Sequence, residues 1–173
     1  MNVERLLETL KEEIPVISDD RHYWLVRTDG GDYYKEFRDN NFIGIGWNKI
    51  SMQDYIPKDT RSIFNLKEQI RHSYYKNDKN VRAATITATA NKLIRFNHTI
   101  KKGDIVLIPS YSSNAISIGR VQSEMYLESD QKLLSKCHFI KRKTVKWIKH
   151  ERSYKIDPYL YRVFFSHHAI SDI

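Results

Sequence analysis

Residues 42–47, FIGIGW, put glycine at every second position, 44 and 46, between Ile43, Ile45 and Trp47. Side chains alternate between the two faces of a strand, so this segment carries its bulk on one face and is bare at 44 and 46 on the other. A bare face lets another backbone, a helix or a ligand come close. The chain is thereby committed to a sheet with one tightly approached strand. Other short runs of strand character surround it: residues 22–27 (HYWLVR), 105–109 (IVLIP), 115–121 (AISIGRV) and a looser, very basic 138–147.

Helical spacing occupies the gaps. Ile63, Leu66 and Ile70 predict a helix over 62–76, and Ala83, Ile86, Ala90, Leu93 and Ile94 a second over 83–96. The second is rich in threonine, a weak helix former, so packing must support it. Residues 28–32 (TDGGD) read as a loop, 33–40 as a short helix or turn, and 101–104 (KKGD) as a turn delivering 105–109. Residues 159–165 fit strand or helix. At the front, Val3, Leu6, Leu7, Leu10 and Ile14 share one face of an amphipathic helix that Pro15 stops. Five or more short strands with two or three helices predict an α+β fold, a strongly bent sheet or small barrel. The expected division is a helical extension over 1–20 and one domain over 21–173.

Charge narrows the partner. Residues 1–66 carry 9 Lys/Arg against 12 Asp/Glu, 67–131 carry 10 against 6, and 132–173 carry 10 against 3. A basic half beside a mildly acidic one fits a polyanion met by one face, and it also fits a lysine-rich solvated surface. Eleven Tyr and three Trp among those cations favour the first, because flat rings between Lys and Arg are what base stacking requires. No apolar run reaches the ~20 residues that span a bilayer. The single cysteine, Cys137, excludes an internal disulfide and fits a reducing compartment. The acidic, amphipathic N-terminus lacks the zones of a signal peptide, so a cytoplasmic location without membrane attachment is expected.

Catalytic signatures are absent. The histidines at 22, 72, 98, 138, 150, 167 and 168 form no HExxH and no Cys/His knuckle; adjacent His167 and His168 point apart. There is no phosphate-binding loop, no GxGxxG and no GxSxG. Cys137 sits among cations that can depress a thiol pKa but has no partner in the sequence. Glu124 and the Asp130/Lys132 pair do not give the spaced acids and lysine of a nuclease. The expectation is a protein that is not an enzyme and holds no cofactor or metal.

Six segments taken together are more specific: residues 23–27 (YWLVR), 42–47, Asn91 with 93–96, 102–106 (KGDIV), 119–121 (GRV) and 144–147 (TVKW). In this order they resemble the EVE/YTH branch of the PUA-like superfamily. The likeness is greatest to the EVE-like N-terminal modules of bacterial modification-dependent restriction and phage-defence proteins, and it covers roughly residues 22–150. It implies a curved mixed sheet or small barrel flanked by helices, and a base held in an aromatic-lined pocket. Trp47 matches the pocket tryptophan, Arg27, Thr28 and Asp29 the polar loop leaving the first strand, Asn91 the helix asparagine, and Ser110 the polar residue after the third strand. The second stacking wall falls to Tyr111 or Tyr126, where YTH members have tryptophan.

The residues themselves bear other readings. Trp47 is either a stacking platform or a core residue. Trp24, amid apolar neighbours, reads as core, and Trp147 as packing inward. Asn91 suits a base edge or a neighbouring loop. Lys141, Arg142, Lys143 and Lys146 read as a phosphate-facing groove, or as a charged edge that blocks sheet extension. The leading expectation is a reader of a modified or flipped base, in DNA before RNA. It would serve as the specificity part of a restriction or antiviral defence system, with an effector nuclease or ATPase fused or in trans. The alternatives are an RNA reader, and a regulatory or oligomerisation module with a degenerate pocket that uses the Leu6/Leu10 helix.

Overall fold

A buried polar contact anchors the first strand. In the computed structural model, which describes residues 22–52, 55, 57–152 and 170–172, Trp24 lies on β1 (Tyr23–Val26). It is buried, as its apolar neighbours predict, and its Nε1–H donates to Asp104 Oδ2 at 2.8 Å. The same oxygen accepts the Lys101 N–H at 2.9 Å. Gly103, with φ +100°, supplies the left-handed residue that closes this turn. The KKGD segment thus does two things: it turns the chain and ties the turn to the indole. Beyond it β3 (Ile105–Pro109) runs parallel to β1, pairing Tyr23 with Ile105 and Leu25 with Leu107. Every residue of β3 is buried, as an apolar run without alternation requires of an interior strand.

The chain divides into two compact units. The first holds, among the described residues, 22–43, 101–124, 143–152 and 170–172; the second holds 44–52, 55, 57–100 and 125–142. In the first, β3 pairs antiparallel with β4 (Ala115–Val121), and β4 with β6 (Lys141–Arg152), which enters from the second unit. On the other side β1 pairs antiparallel with β7 (Ile170–Asp172). The strand order is β2-β6-β4-β3-β1-β7, where β2 (Phe42–Ile45) also crosses the boundary between units. One parallel pair among antiparallel ones makes the sheet mixed, and the α+β class holds. A register shift between Ile118 and Gly119 marks a bulge, which bends and twists a strand.

The short α1 (Tyr34–Asp39) buries Phe37 against Phe42, with ring centroids 4.8 Å apart. Its backbone accepts the Trp147 Nε1–H at Phe37 O, 3.3 Å, so Trp147 does pack inward. Tyr34 Oη and His150 Nδ1 each lie 2.7 Å from Ser117 Oγ, a polar chain joining α1, β4 and β6. Ser117 is fully buried and both contacts are internal, so the hydroxyl works as a clamp.

In the second unit α2 (Thr60–Tyr75) starts at a capping box between Asp59 and Ser62, worth about 1 kcal/mol. It packs against α3 (Ala83–Ile94), which continues into a single π turn over Arg95–Thr99. Ile50, Met52, Leu66, Ile70, Ile86, Ala90 and Leu93 form their shared core. That core supports the threonine-rich helix, and Thr89 Oγ1 satisfies itself on Thr85 O at 3.1 Å. β5 (Tyr126–Leu127) pairs with the start of β6, and α4 (Gln131–Lys136) is capped by Asp130, whose Oδ1 accepts the Lys132 N–H at 2.8 Å.

Three sequence expectations need correction. β2 ends at Ile45 rather than at Trp47. The basic strand begins at Lys141 and runs to Arg152, later and longer than 138–147. The bare glycine face is filled from within the second unit: a Cβ on Gly44 would stand 3.2 Å from Phe139 Cβ, and one on Gly46 3.3 Å from Phe139 Cε1. No ligand is needed to explain those glycines. The expected helix over 3–14, residues 159–165 and the His167/His168 pair lie outside the described residues. No helix among the described residues is long and apolar enough to cross a membrane.

Gly119 offers a test of this packing. A Cβ there would overlap Val145 Cγ1 and the Trp147 ring. Gly119→Ala is expected to destabilise the protein by about 1–3 kcal/mol, seen in urea as a lower midpoint at unchanged slope. An unchanged midpoint contradicts the close approach.

Candidate functional site

The second unit holds Trp47 in an unusual backbone state. Its φ is +58°, in the left-handed region that glycine prefers and that costs other residues roughly 1–2 kcal/mol. Such a conformation persists only where the surroundings over-determine it. Here the Ile50 N–H donates to Trp47 O at 3.0 Å, and the Lys141 ammonium donates to the same oxygen at 2.8 Å. The next two residues are pinned as well. Asn48 Nδ2 donates to His138 O at 2.7 Å. The Lys49 N–H donates to Tyr74 Oη at 2.9 Å, and Lys49 Nζ sits 5.5 Å over the Tyr74 ring.

The Trp47 indole is half-buried against the α2/α3 core, and Lys92 Nζ lies 5.6 Å over its centroid, a cation–π contact. Asn91, the residue before Lys92, is exposed. A fixed aromatic with a cation on its face is suited to a flat, electron-rich group, while Asn91, one residue away on the helix, is turned about 100° from Lys92 and has no contact that ties it to the indole. The sequence identified Trp47 and Asn91. It missed Lys92, although the spacing of α3 placed it beside Asn91.

Arg27, Thr28, Asp29, Ser110 and Tyr111 gather in the first unit, where the loop after β1 meets the loop after β3. A Cβ on Gly31 would overlap the backbone N and Cα of Tyr111, and Asp29, Gly30 and Gly31 all have positive φ, +55°, +70° and +108°. Two expected ligand groups are committed inside this junction. Thr28, 1% exposed, donates through Oγ1 to Pro109 O at 2.8 Å, and Ser110 Oγ accepts the Ala115 N–H at 2.7 Å. Their hydroxyls staple loops and are not offered to a base edge. Asp29 and Tyr111 are exposed, and burial lowers the pKa of half-buried Arg27. Trp47, Asn91 and Tyr126 belong instead to the second unit, with Tyr126 38% exposed on β5.

The cationic groove expected on β6 is corrected more sharply. Lys141, Arg142 and Lys143 are buried to 1% exposure or less. Arg142 donates to Phe139 O and Cys137 O, both at 2.8 Å, and pairs with Glu128 Oε2 at 3.2 Å. Lys143 Nζ lies 3.6 Å from Glu124 Oε2; burial lowers its pKa and Glu124 opposes the shift. The physical reason is position in the sheet. β6 pairs with β5 at Lys141 and Arg142 and with β4 from Val145 onward, and β2 is its other neighbour, so it is neither a groove nor an exposed edge. Lys146 alone of the four is exposed, opposite Arg120 on β4. Cys137 is buried, and no group of three or more His, Cys, Asp or Glu among the described residues is arranged to hold a metal ion.

The chain belongs to the family described as domain of unknown function (DUF8426), whose model matches residues 23–173. Among solved structures it is similar to the YTH domain of the Zygosaccharomyces rouxii MRB1 protein, determined in complex with N6-methyladenosine RNA. That similarity has 9% sequence identity, covers 81% of this chain and 67% of that chain, and has a TM-score of 0.41. Comparison with curated proteins finds no match.

Lys141 gives the site a pH signature. Burial pushes its ammonium down from 10.5 to about 8. Between those values the unfolded chain holds a proton that the folded chain has released, so stability rises with pH across that window. The destabilisation is fully present below pH 8. Urea midpoints of the parent minus those of Lys141→Met should therefore climb from about pH 8 to 10.5; a flat difference would contradict a desolvated ammonium under Trp47.

Proposed function

We propose that this chain is a nucleic-acid reader that takes one base against the indole of Trp47 and performs no chemistry of its own. The left-handed backbone at Trp47 carries the proposal. A bulky aromatic held in a costly conformation, with its carbonyl, Asn48 and Lys49 all fixed, is a residue whose position matters more than its local energy. The Lys92 ammonium covers the ring face that a base would take. Its long, flexible stem lets it swing from the indole to a neighbouring phosphate when the base arrives. Asn91 offers an amide donor and acceptor to the base edge. The net charge of +8 supports a polyanionic partner.

The finer reading is that the base is modified or flipped out, that the polymer is DNA, and that the chain lends specificity to an effector nuclease or ATPase in a restriction or defence system. The order of the sequence segments supports it. RNA differs by its 2′-hydroxyl, so competition between matched DNA and RNA strands separates the two.

Fluorescence anisotropy with paired oligonucleotides, with and without a modified base, tests the reading. Trp47→Ala is expected to lose about 5–150-fold in affinity, the worth of one stacked base, together with the preference for the modified strand. Trp47→Phe should retain part of both. A folded Trp47→Ala protein that binds every strand like the parent would falsify the platform, and metal-dependent cleavage by the pure chain would overturn the non-catalytic part.

A further inference from the structure

Lys141 and Arg142, the β6 cations of the second unit, are buried, so the exposed positive charge of that unit lies on its helices and the loops beside them. Between residues 58 and 95 the chain has 9 Lys/Arg against 3 Asp/Glu. Arg61 and Arg71 on α2, Lys76 and Lys79 in the turn beyond it, and Arg82 at the start of α3 are all exposed. The three acids nearby make local contacts, and only Glu68 is paired with a cation. Asp59 Oδ1 accepts the Ser62 N–H at 2.7 Å, Asp78 Oδ1 accepts the Asn80 N–H at 2.9 Å, and Glu68 lies 3.7 Å from Arg71. Among the described residues Arg61, Lys76, Lys79 and Arg82 form no ion pair.

Helix energetics does not account for this pattern. Arg61 in the first turn of α2 and Arg82 at the N-cap of α3 stand where the helix dipole disfavours positive charge. Asp59 at the N-cap of α2 offsets Arg61, whereas α3 has neither an acid in its first turn nor a side-chain cap. An external anion would favour the start of α3.

Aromatic side chains lie among these cations. Phe64, 59% exposed, is one helical turn from Arg61 and from Lys67. An open depression at the far end of α2 is lined by Arg71, His72, Tyr75, Lys76 and Lys79 together with the acids Glu68 and Asp78, three cations against two. That end of the helix also carries Tyr74, which Lys49 binds by its N–H and covers by its ammonium. Lys49 is two residues from Trp47, so the cation row reaches the Trp47 loop within one unit. Cations interleaved with exposed rings match a single strand's alternation of phosphates and bases.

We propose that the exposed side of α2 and its turn into α3 is the surface along which the sugar–phosphate backbone of a single strand lies. This rests on the reading of Trp47 as the base platform: the helices supply a sequence-blind grip and Trp47 the inspection. Salt titrations with the full chain and a labelled single-stranded DNA oligonucleotide of mixed sequence decide it. The variant R71Q/K76Q/K79Q removes three cations from the surface; K101Q/K102Q/K132Q removes three exposed cations from elsewhere. Each lost phosphate contact on a single strand lowers the slope of log K against log salt by about 0.7. The surface variant should therefore lose about 2 from the slope and roughly 10–100-fold in affinity, with urea midpoints matched to the parent. The control should keep the parent's slope.

A surface variant indistinguishable from the control overturns the inference while leaving the Trp47 reading intact. A reduced slope in the surface variant, beside a Trp47→Ala protein that binds modified and unmodified strands like the parent, leaves the grip standing and removes the platform. A parent chain without affinity for the strand overturns the grip, and one that also fails to bind the matched RNA and the modified oligonucleotides overturns the Trp47 reading as well.

Discussion

In the second unit an ammonium buried beneath the surface donates to the carbonyl of Trp47, and the geometry of the whole Trp47 loop follows from it. Removing a lysine head group from water is unfavourable, which is why Lys141 titrates near 8 rather than 10.5. The carbonyl it reaches points inward because Trp47 takes a positive φ. Neither half is comfortable alone: the left-handed tryptophan needs a donor, and the buried amine needs an acceptor. Coupled, they fix the direction of the indole. The neighbouring cations show the same principle used for structure alone. Arg142 is saturated by two carbonyls and Glu128, and Lys143 meets Glu124, so each buried charge has its own partner.

Much of the fold was legible because burial leaves periodic traces. The apolar run of β3 has no polar interruption, and all five of its residues are buried. Leu66, Ile70, Ile86, Ala90 and Leu93 fall at helical spacing and meet in one core. The KKGD turn and Trp24 were read correctly as turn and core, though not as partners, since nothing in sequence couples residues 80 positions apart. β5 and α4, with two and six residues, are too short to show a period.

The surroundings of the candidate residues were not legible in the sequence. Trp47 and Asn91 stood out as residue types, but a positive φ at tryptophan has no sequence signature. Thr28 and Ser110 looked like ligands because a hydroxyl in a loop is the same in sequence whether it faces solvent or a carbonyl. The largest error, at Lys141 to Lys143, has a general cause. A run of cations is assigned to the surface by default, and only the strand pairing, with β5 beside Lys141 and Arg142 and β4 beside the rest of β6, reveals that the strand is interior. The glycines of β2 misled in a complementary way: they did signal a close approach, and Phe139 makes it.

Burial sorts the cations into two kinds with opposite uses. A buried cation is committed to partners inside the protein, a carbonyl for Lys141 and carboxylates for Arg142 and Lys143, and would have to abandon them to meet a phosphate, a loss of about 3–5 kcal/mol where a buried ion pair is broken. An exposed lysine or arginine exchanges only counterions, and their release favours binding. Lys92 sits between these limits. Its cation–π contact over Trp47 is worth about 0.5–1 kcal/mol at an exposed site, whereas a stacked base contributes about 1–3 kcal/mol. On the proposed reading a base would displace the ammonium with a net gain, and the displaced charge would stay within reach of the strand that brought it. Until then Lys92 keeps the indole face covered, which lowers the cost of leaving an aromatic platform facing water.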